Sequence, residues 1–312
     1  MTDCGPNHES CCASLPVPGG TFFRAYDSAL GGRCCPNPVF AADGGPTGEA
    51  DPATVSPFRL DKYLVTVARY RQFEAAWRAG AGWTPPAGSG KHAHLNGGRG
   101  LVEQGAEGGL TYEPGWLGSY DAYLGVCANG SCSVTTSTWT ITPGSAQNRP
   151  INMVNWFDAY AFCIWDGGFL PSQAEWEFAA AGGDEQRRAP WVFIDGGAGL
   201  TYAIADCDYP PGTNGCTNSS PDNIAPVGTP TAGAGRWGQL DLAGEVVQWN
   251  LDWQGRVNPC DDCATLTPVA QTPQRASNGT AFDGLVMPPP WTGQEVPFYR
   301  FDYVGFRCAR VP

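Results

Sequence analysis

Helix signals, apolar spacing in the first and stop or capping residues in the other two, stand in three stretches of the chain. After Thr66, the positions Tyr70, Phe73 and Trp77 follow at three- and four-residue steps and form one apolar face. Thr66 is a candidate N-cap and Gly80 a candidate stop, so the pattern predicts a helix between them. A denser pattern begins at Trp156 and runs through Phe162 and Trp165 to Gly167-Gly168, which can close a second helix. Ser172 and Glu175 then form an S-x-x-E capping box for a third helix, which Ala181-Gly182-Gly183 ends. The stretch Thr21-Phe22-Phe23-Arg24 predicts a strand.

Between these elements lies turn chemistry. Residues 79–144 and 201–226 are rich in Gly, Pro and Asn, and the whole chain holds 42 Gly and 28 Pro. An irregular, loop-rich α+β fold is expected. At 312 residues the length alone allows one large domain or two small ones, and no internal repeat divides it.

A net charge of −12 with only 15% charged residues excludes a basic track for nucleic acid or anionic lipid. No apolar run is long enough to span a bilayer. Thirteen cysteines, several closely spaced, point to an oxidising compartment. Residues Met1 to Leu15 carry no apolar core of an export signal, so an extracytoplasmic location (secreted, periplasmic or envelope-attached) is expected with the signal already removed; the competing reading is metal binding by the cysteines. The odd count leaves one thiol unpaired or paired between chains.

Spacing allows local bridges Cys127 to Cys132 and Cys207 to Cys216. Cys260-Asp261-Asp262-Cys263 can be a redox pair, half a zinc site or a local disulfide. Pro259 and the two internal aspartates disfavour a thiolate, which leaves a structural disulfide in a surface loop as the preferred reading. His92 and His94 form an H-x-H in a Gly-rich stretch, expected as exposed loop histidines rather than metal ligands.

Six blocks then align in order. They are Val17-Pro18-Gly19-Gly20-Thr21-Phe22; Phe58-Arg59-Leu60-Asp61-Lys62-Tyr63; Pro150-Ile151-Asn152-Met153-Val154-Asn155-Trp156; Leu170-Pro171-Ser172-Gln173-Ala174-Glu175-Trp176; Gly238-Gln239-Leu240-Asp241-Leu242-Ala243-Gly244 with Gln248-Trp249; and Gly305-Phe306-Arg307-Cys308. Together they resemble the formylglycine-generating enzyme, or sulfatase-modifying factor, family. The resemblance implies one domain over residues 17–312 after a Cys-rich segment 1–16, with a C-type-lectin-like α+β fold stabilised by disulfides. It also implies a bridge between Cys163 and Cys308, and a calcium loop with ligands from Asp241, the carbonyls of Gly244 and Val246, and the Gln248 amide oxygen. Gln248 stands where the family usually has Glu. A turn held by Asp241 without metal is the alternative.

The family's copper-binding cysteine pair falls after an Arg-x-x-x-Gly-Gly-Ser block, which Arg275-Ala276-Ser277-Asn278-Gly279-Thr280 resembles in worn form. Phe282 and Asp283 stand at the first cysteine position, and residues 264–307 contain no cysteine. Copper is therefore not expected, because copper(I) needs soft thiolate ligands. The expected function is a diverged, non-catalytic family member whose aromatic-rich cleft binds a peptide, glycan or protein ligand. The alternatives are a formylglycine-generating or other metal-dependent oxidase acting on a cysteine or small thiol, and a purely structural envelope protein.

Overall fold

The computed structural model describes residues 2–312 except 25, 28–31, 34–50, 79–81, 105–109, 126–134, 192–198, 213–219, 256, 269–270 and 272. Three α-helices form where apolar spacing, the glycine stops and the capping box predict them. Helix α1 spans Val67–Arg78, with the Thr66 hydroxyl accepting the Arg69 backbone N–H at 3.3 Å as the N-cap. Helix α2 spans Trp156–Trp165 and is capped by Asn155, whose side chain accepts from the Asp158 N–H. Helix α3 spans Gln173–Ala181; its capping box between Ser172 and Glu175 is complete, and Gly182 closes it in a left-handed conformation with φ 66°.

The longest strand, Val247–Trp253, is the axis of a four-stranded sheet. It pairs antiparallel with Arg275–Asn278 and parallel with Val304–Gly305, and Thr292–Glu295 forms the far edge. Side chains alternate across this strand. Gln248, Asn250 and Asp252 share one face, and Gln248 and Asp252 bond to Trp176 and Gln173 of α3. Trp249, Leu251 and Trp253 share the other; the first two join the core beneath α2, and Trp253 stacks on Arg275. Two three-stranded sheets pack alongside. In one, Ser14–Val17 and Ala309–Arg310 flank Phe58–Asp61, and in the other Gly20–Phe23 pairs with Pro52–Val55.

The main core gathers Tyr70 and Phe73 of α1, Trp156 and Phe162 of α2, Trp249 and Phe306. Edge-to-face ring contacts, such as Phe162 with Phe306 at 5.3 Å, recur through it. Cys163 of α2 is joined to Cys308 across 145 residues. Cys4 is joined to Cys11, and both are buried in a further cluster with Tyr63 and Val227, so the segment before Val17 packs into the body of the fold. Cys260 and Cys263 are also bonded to each other. They lie in short strands paired with Pro52–Val55 and Val102–Glu103, with Cys263 buried, rather than in the surface loop expected from the sequence. Cys207 is disulfide-bonded and buried. Cys127, Cys132 and Cys216 lie outside the described residues. Cys12 is free and exposed. Among the described residues no helix is long and apolar enough to cross a membrane.

Candidate functional site

The start of α2 collects two loops into a cleft. Asn155 holds the 118–125 segment through the Tyr123 carbonyl at 3.0 Å, while its own cap fixes the helix. The Trp156 N–H donates to the Pro297 carbonyl at 3.0 Å and so fixes the opposite wall. Arg300 ties both walls to the helix: it pairs with the buried Asp158 at 2.5 Å and donates to the Met153 and Gly125 carbonyls. The resulting cleft encloses about 640 Å³, and its walls include Tyr120, Tyr123, Phe157, Trp253, Phe298 and Tyr299. Tyr123 stacks on Phe157 at 4.6 Å. Tyr123, Phe298 and Tyr299 are each about half exposed, at 48%, 51% and 55%. Ser119 and Gln271 are polar members of the lining, and none of its described residues is charged.

Arg275 lies behind the cleft wall, buried beneath Trp253 rather than in the lining itself. Its guanidinium is sandwiched between the rings of Trp156 at 3.6 Å and Trp253 at 3.5 Å, and it donates to the Leu251 carbonyl. Burial pushes its pKa down to about 10. Among the described residues no carboxylate pairs with it. The cation–π contacts with the buried Trp156 and the half-buried Trp253 offset part of that cost, by about 1–2 kcal/mol each. A smaller cavity of about 20 Å³ lies beside it, lined by Glu113, Tyr160 and Arg275, and shares Tyr120 with the cleft.

The H-x-H pair corrects the sequence expectation. His92 is fully buried. Its Nδ1 meets Glu113 Oε2 at 2.9 Å and its Nε2 meets Glu175 Oε2 at 2.9 Å. Burial alone would lower the imidazole pKa, but the two carboxylates overcome it and raise it to about 10. His92 is thus an imidazolium clamped between two glutamates. Glu175 is the same residue that completes the α3 capping box, so the cap and the clamp share one carboxylate. His94 is half-buried and stacks on Phe169. Sequence reasoning missed the clamp because Glu113 and Glu175 lie 21 and 83 residues from His92. It also missed the Arg275 sandwich, although the alternation of the Val247–Trp253 strand carried half of that signal.

The side chains present do not match the ligand sets that the resemblance implies. At the family's first copper position, Phe282 is buried against Ile204 and Cys207, and its backbone is tied to Glu245 and Cys207. Neither Phe282 nor Asp283 offers the soft donor copper(I) requires. In the calcium segment, the Gln248 amide oxygen accepts from Trp176 Nε1 at 2.8 Å and from Arg307 Nε at 2.7 Å. The Gln248 nitrogen donates to the Asp241 carbonyl, which also accepts from Arg307. A cation has no access to the Gln248 oxygen in this arrangement, and a guanidinium already stands beside the segment. The implied calcium set does not fit as a whole. Asp241 accepts from the Gly228 N–H at 2.7 Å, and burial raises its pKa to about 6 against the pull of Arg307. Among the described residues no group of three His, Cys, Asp or Glu side chains could hold a metal.

The architecture, a Cys163–Cys308 bridge between α2 and the C-terminal strand, and the order of the sequence blocks define one class of protein. Residues 2–312 match the sulfatase-modifying factor enzyme 1-like domain, and the chain belongs to that family. It is similar to the formylglycine-generating enzyme of Thermomonospora curvata, 30% identical over 282 residues that cover 86% of this chain and 79% of that protein. It also matches the formylglycine-generating enzyme of Mus musculus, 34% identical over 112 residues, which are 34% of this chain and 28% of that protein. The solved structure of PvdO from Pseudomonas aeruginosa superposes with a TM-score of 0.55 at 19% identity, covering 96% of this chain and 94% of PvdO. That likeness is one of fold.

Proposed function

We propose that this chain is a binding member of its family that does not carry out copper-dependent oxidation, and that its aromatic cleft takes an apolar peptide segment. The observation that carries the reading is the cleft itself: among the described residues six aromatic rings and no charged side chain line about 640 Å³ of space, in a chain with no cysteine between residues 264 and 307. A glycan would require a ring of hydrogen-bonding side chains, whereas the polar lining here is Ser119, Gln271 and tyrosine hydroxyls. A peptide uses aromatic walls more fully, because large apolar side chains in desolvated pockets carry most of the binding energy. The three described bridges support an extracytoplasmic setting.

The test is selection of peptides from a displayed library, followed by titration against Phe298→Ala and Trp253→Ala. Losses of about tenfold or more in each support the cleft. A parallel incubation with a cysteine-containing sulfatase-type peptide, copper and oxygen addresses the rival reading, which the 30% identity to a formylglycine-generating enzyme favours. Conversion of the cysteine to formylglycine would replace the binding reading with the enzymatic one.

A further inference from the structure

A second groove lies on another part of the molecule, between the Gly20–Phe23 strand and the turn after α3. It encloses about 380 Å³, within the range of small-molecule sites. Its walls include Thr21, Asp184, Arg236 and Trp237. Trp237 stacks on Phe178 at 5.3 Å with the rings 9° from parallel. The stack depends on Gly183: at φ +64°, a Cβ there would stand 2.9 Å from the Phe178 ring and 3.3 Å from the Trp237 ring. Gln186 bonds both the N–H and the carbonyl of Phe23, which fixes the strand against the turn and sets the width of the groove.

The polar wall is built from ion pairs. Arg236 Nη1 meets Asp184 Oδ1 at 2.6 Å, its Nε meets Glu185 at 3.2 Å, and it also donates to the Gly182 carbonyl. Glu185 is shared with Arg187, so two carboxylates meet two guanidiniums and the wall carries no net charge. On the far side, the exposed Thr21 hydroxyl lies 3.2 Å from that of Thr54.

We propose that this groove is a binding site for a neutral saccharide. A pyranose has an apolar face of C–H groups that can lie on an indole and an equatorial rim of hydroxyls that both donate and accept. Asp184 supplies acceptors, Arg236 donors and Thr21 both. Among the described residues each guanidinium of this wall is already paired with a carboxylate, so the wall offers no free cation to hold a phosphate or sulfate, which argues against a nucleotide or an acidic sugar. An apolar peptide would leave the Asp184–Arg236 pair unused.

The experiment is saturation-transfer NMR on the full chain with cellobiose, maltose, lactose and N,N′-diacetylchitobiose, and with glucose 6-phosphate and adenosine as comparison probes. At least one disaccharide is expected to show transfer at its ring C–H protons. Trp237→Ala and the exposed Asp184→Asn should each weaken it about tenfold, while Phe298→Ala in the aromatic cleft leaves it unchanged. Binding of none of the four disaccharides, retention of full affinity in both groove variants, or preference for glucose 6-phosphate or adenosine would overturn the assignment. Loss in Phe298→Ala alone would transfer the saccharide to the cleft and overturn it equally.

Discussion

Replacing His92 with Gln removes the cation from a clamp whose two carboxylates are buried at 2% and 3% exposure. Two independent arguments give the magnitude. Breaking a buried pair by deleting one partner leaves uncompensated charge and costs about 3–5 kcal/mol. The imidazole pKa rises from 6.5 to about 10 on folding, and that difference corresponds to roughly 5 kcal/mol through linkage. Because the folded pKa lies above the unfolded one, this stabilisation is fully present below pH 6.5 and is lost as pH climbs towards 10. Glu175 behaves oppositely, since burial would raise its pKa but His92 and the Ser172 cap hold it below its usual value. Its share is present above about pH 4.5 and lost as pH falls. Urea unfolding of parent and His92→Gln from pH 5 to 10 should therefore show a gap of about 3–5 kcal/mol near pH 6 that narrows steadily towards pH 10. A constant gap across that range, or unchanged midpoints at pH 6, would refute a charged clamp and leave a neutral, hydrogen-bonded histidine.

Four further outcomes are expected. Cys163→Ala with Cys308→Ala opens a 145-residue tie and should cost about 5 kcal/mol by loop entropy, read by denaturation after non-reducing peptide mapping has located the bridge in the parent. Asp241 has a folded pKa of about 6 against 3.8, so its stabilisation is present below pH 3.8 and lost as pH rises through 6. Asp241→Asn should thus raise stability at pH 7 by about 1–3 kcal/mol and make no difference near pH 3.5, the more so because its φ of 56° suits Asn. Millimolar calcium and a chelator should give the same thermal midpoint, because Trp176 and Arg307 already take up the Gln248 oxygen; a rise with calcium would show that the amide turns to receive a metal. Arg275→Leu keeps the apolar stem between Trp156 and Trp253 but removes the cation–π contacts and the Leu251 bond, and should cost about 2–4 kcal/mol in urea unfolding.

The sequence by itself determined the local elements and the class of fold. Thr66, Asn155 and Ser172 are caps whose partners lie three residues away, so their chemistry is written in nearby positions, and α1 formed where its apolar spacing placed it, α2 and α3 where the glycine stops and the capping box did. The order of the sequence blocks carried the family, since those blocks span the chain from end to end. What tertiary structure alone decided is which distant residues meet. His92 resembled an exposed loop histidine until the chain brought Glu113 and Glu175 to its two ring nitrogens. Gln248 resembled a weakened calcium ligand until Arg307, 59 residues on, turned its oxygen inward. The reason is physical: a buried polar atom must find a partner, and nothing in local spacing says which distant partner the packed core will deliver.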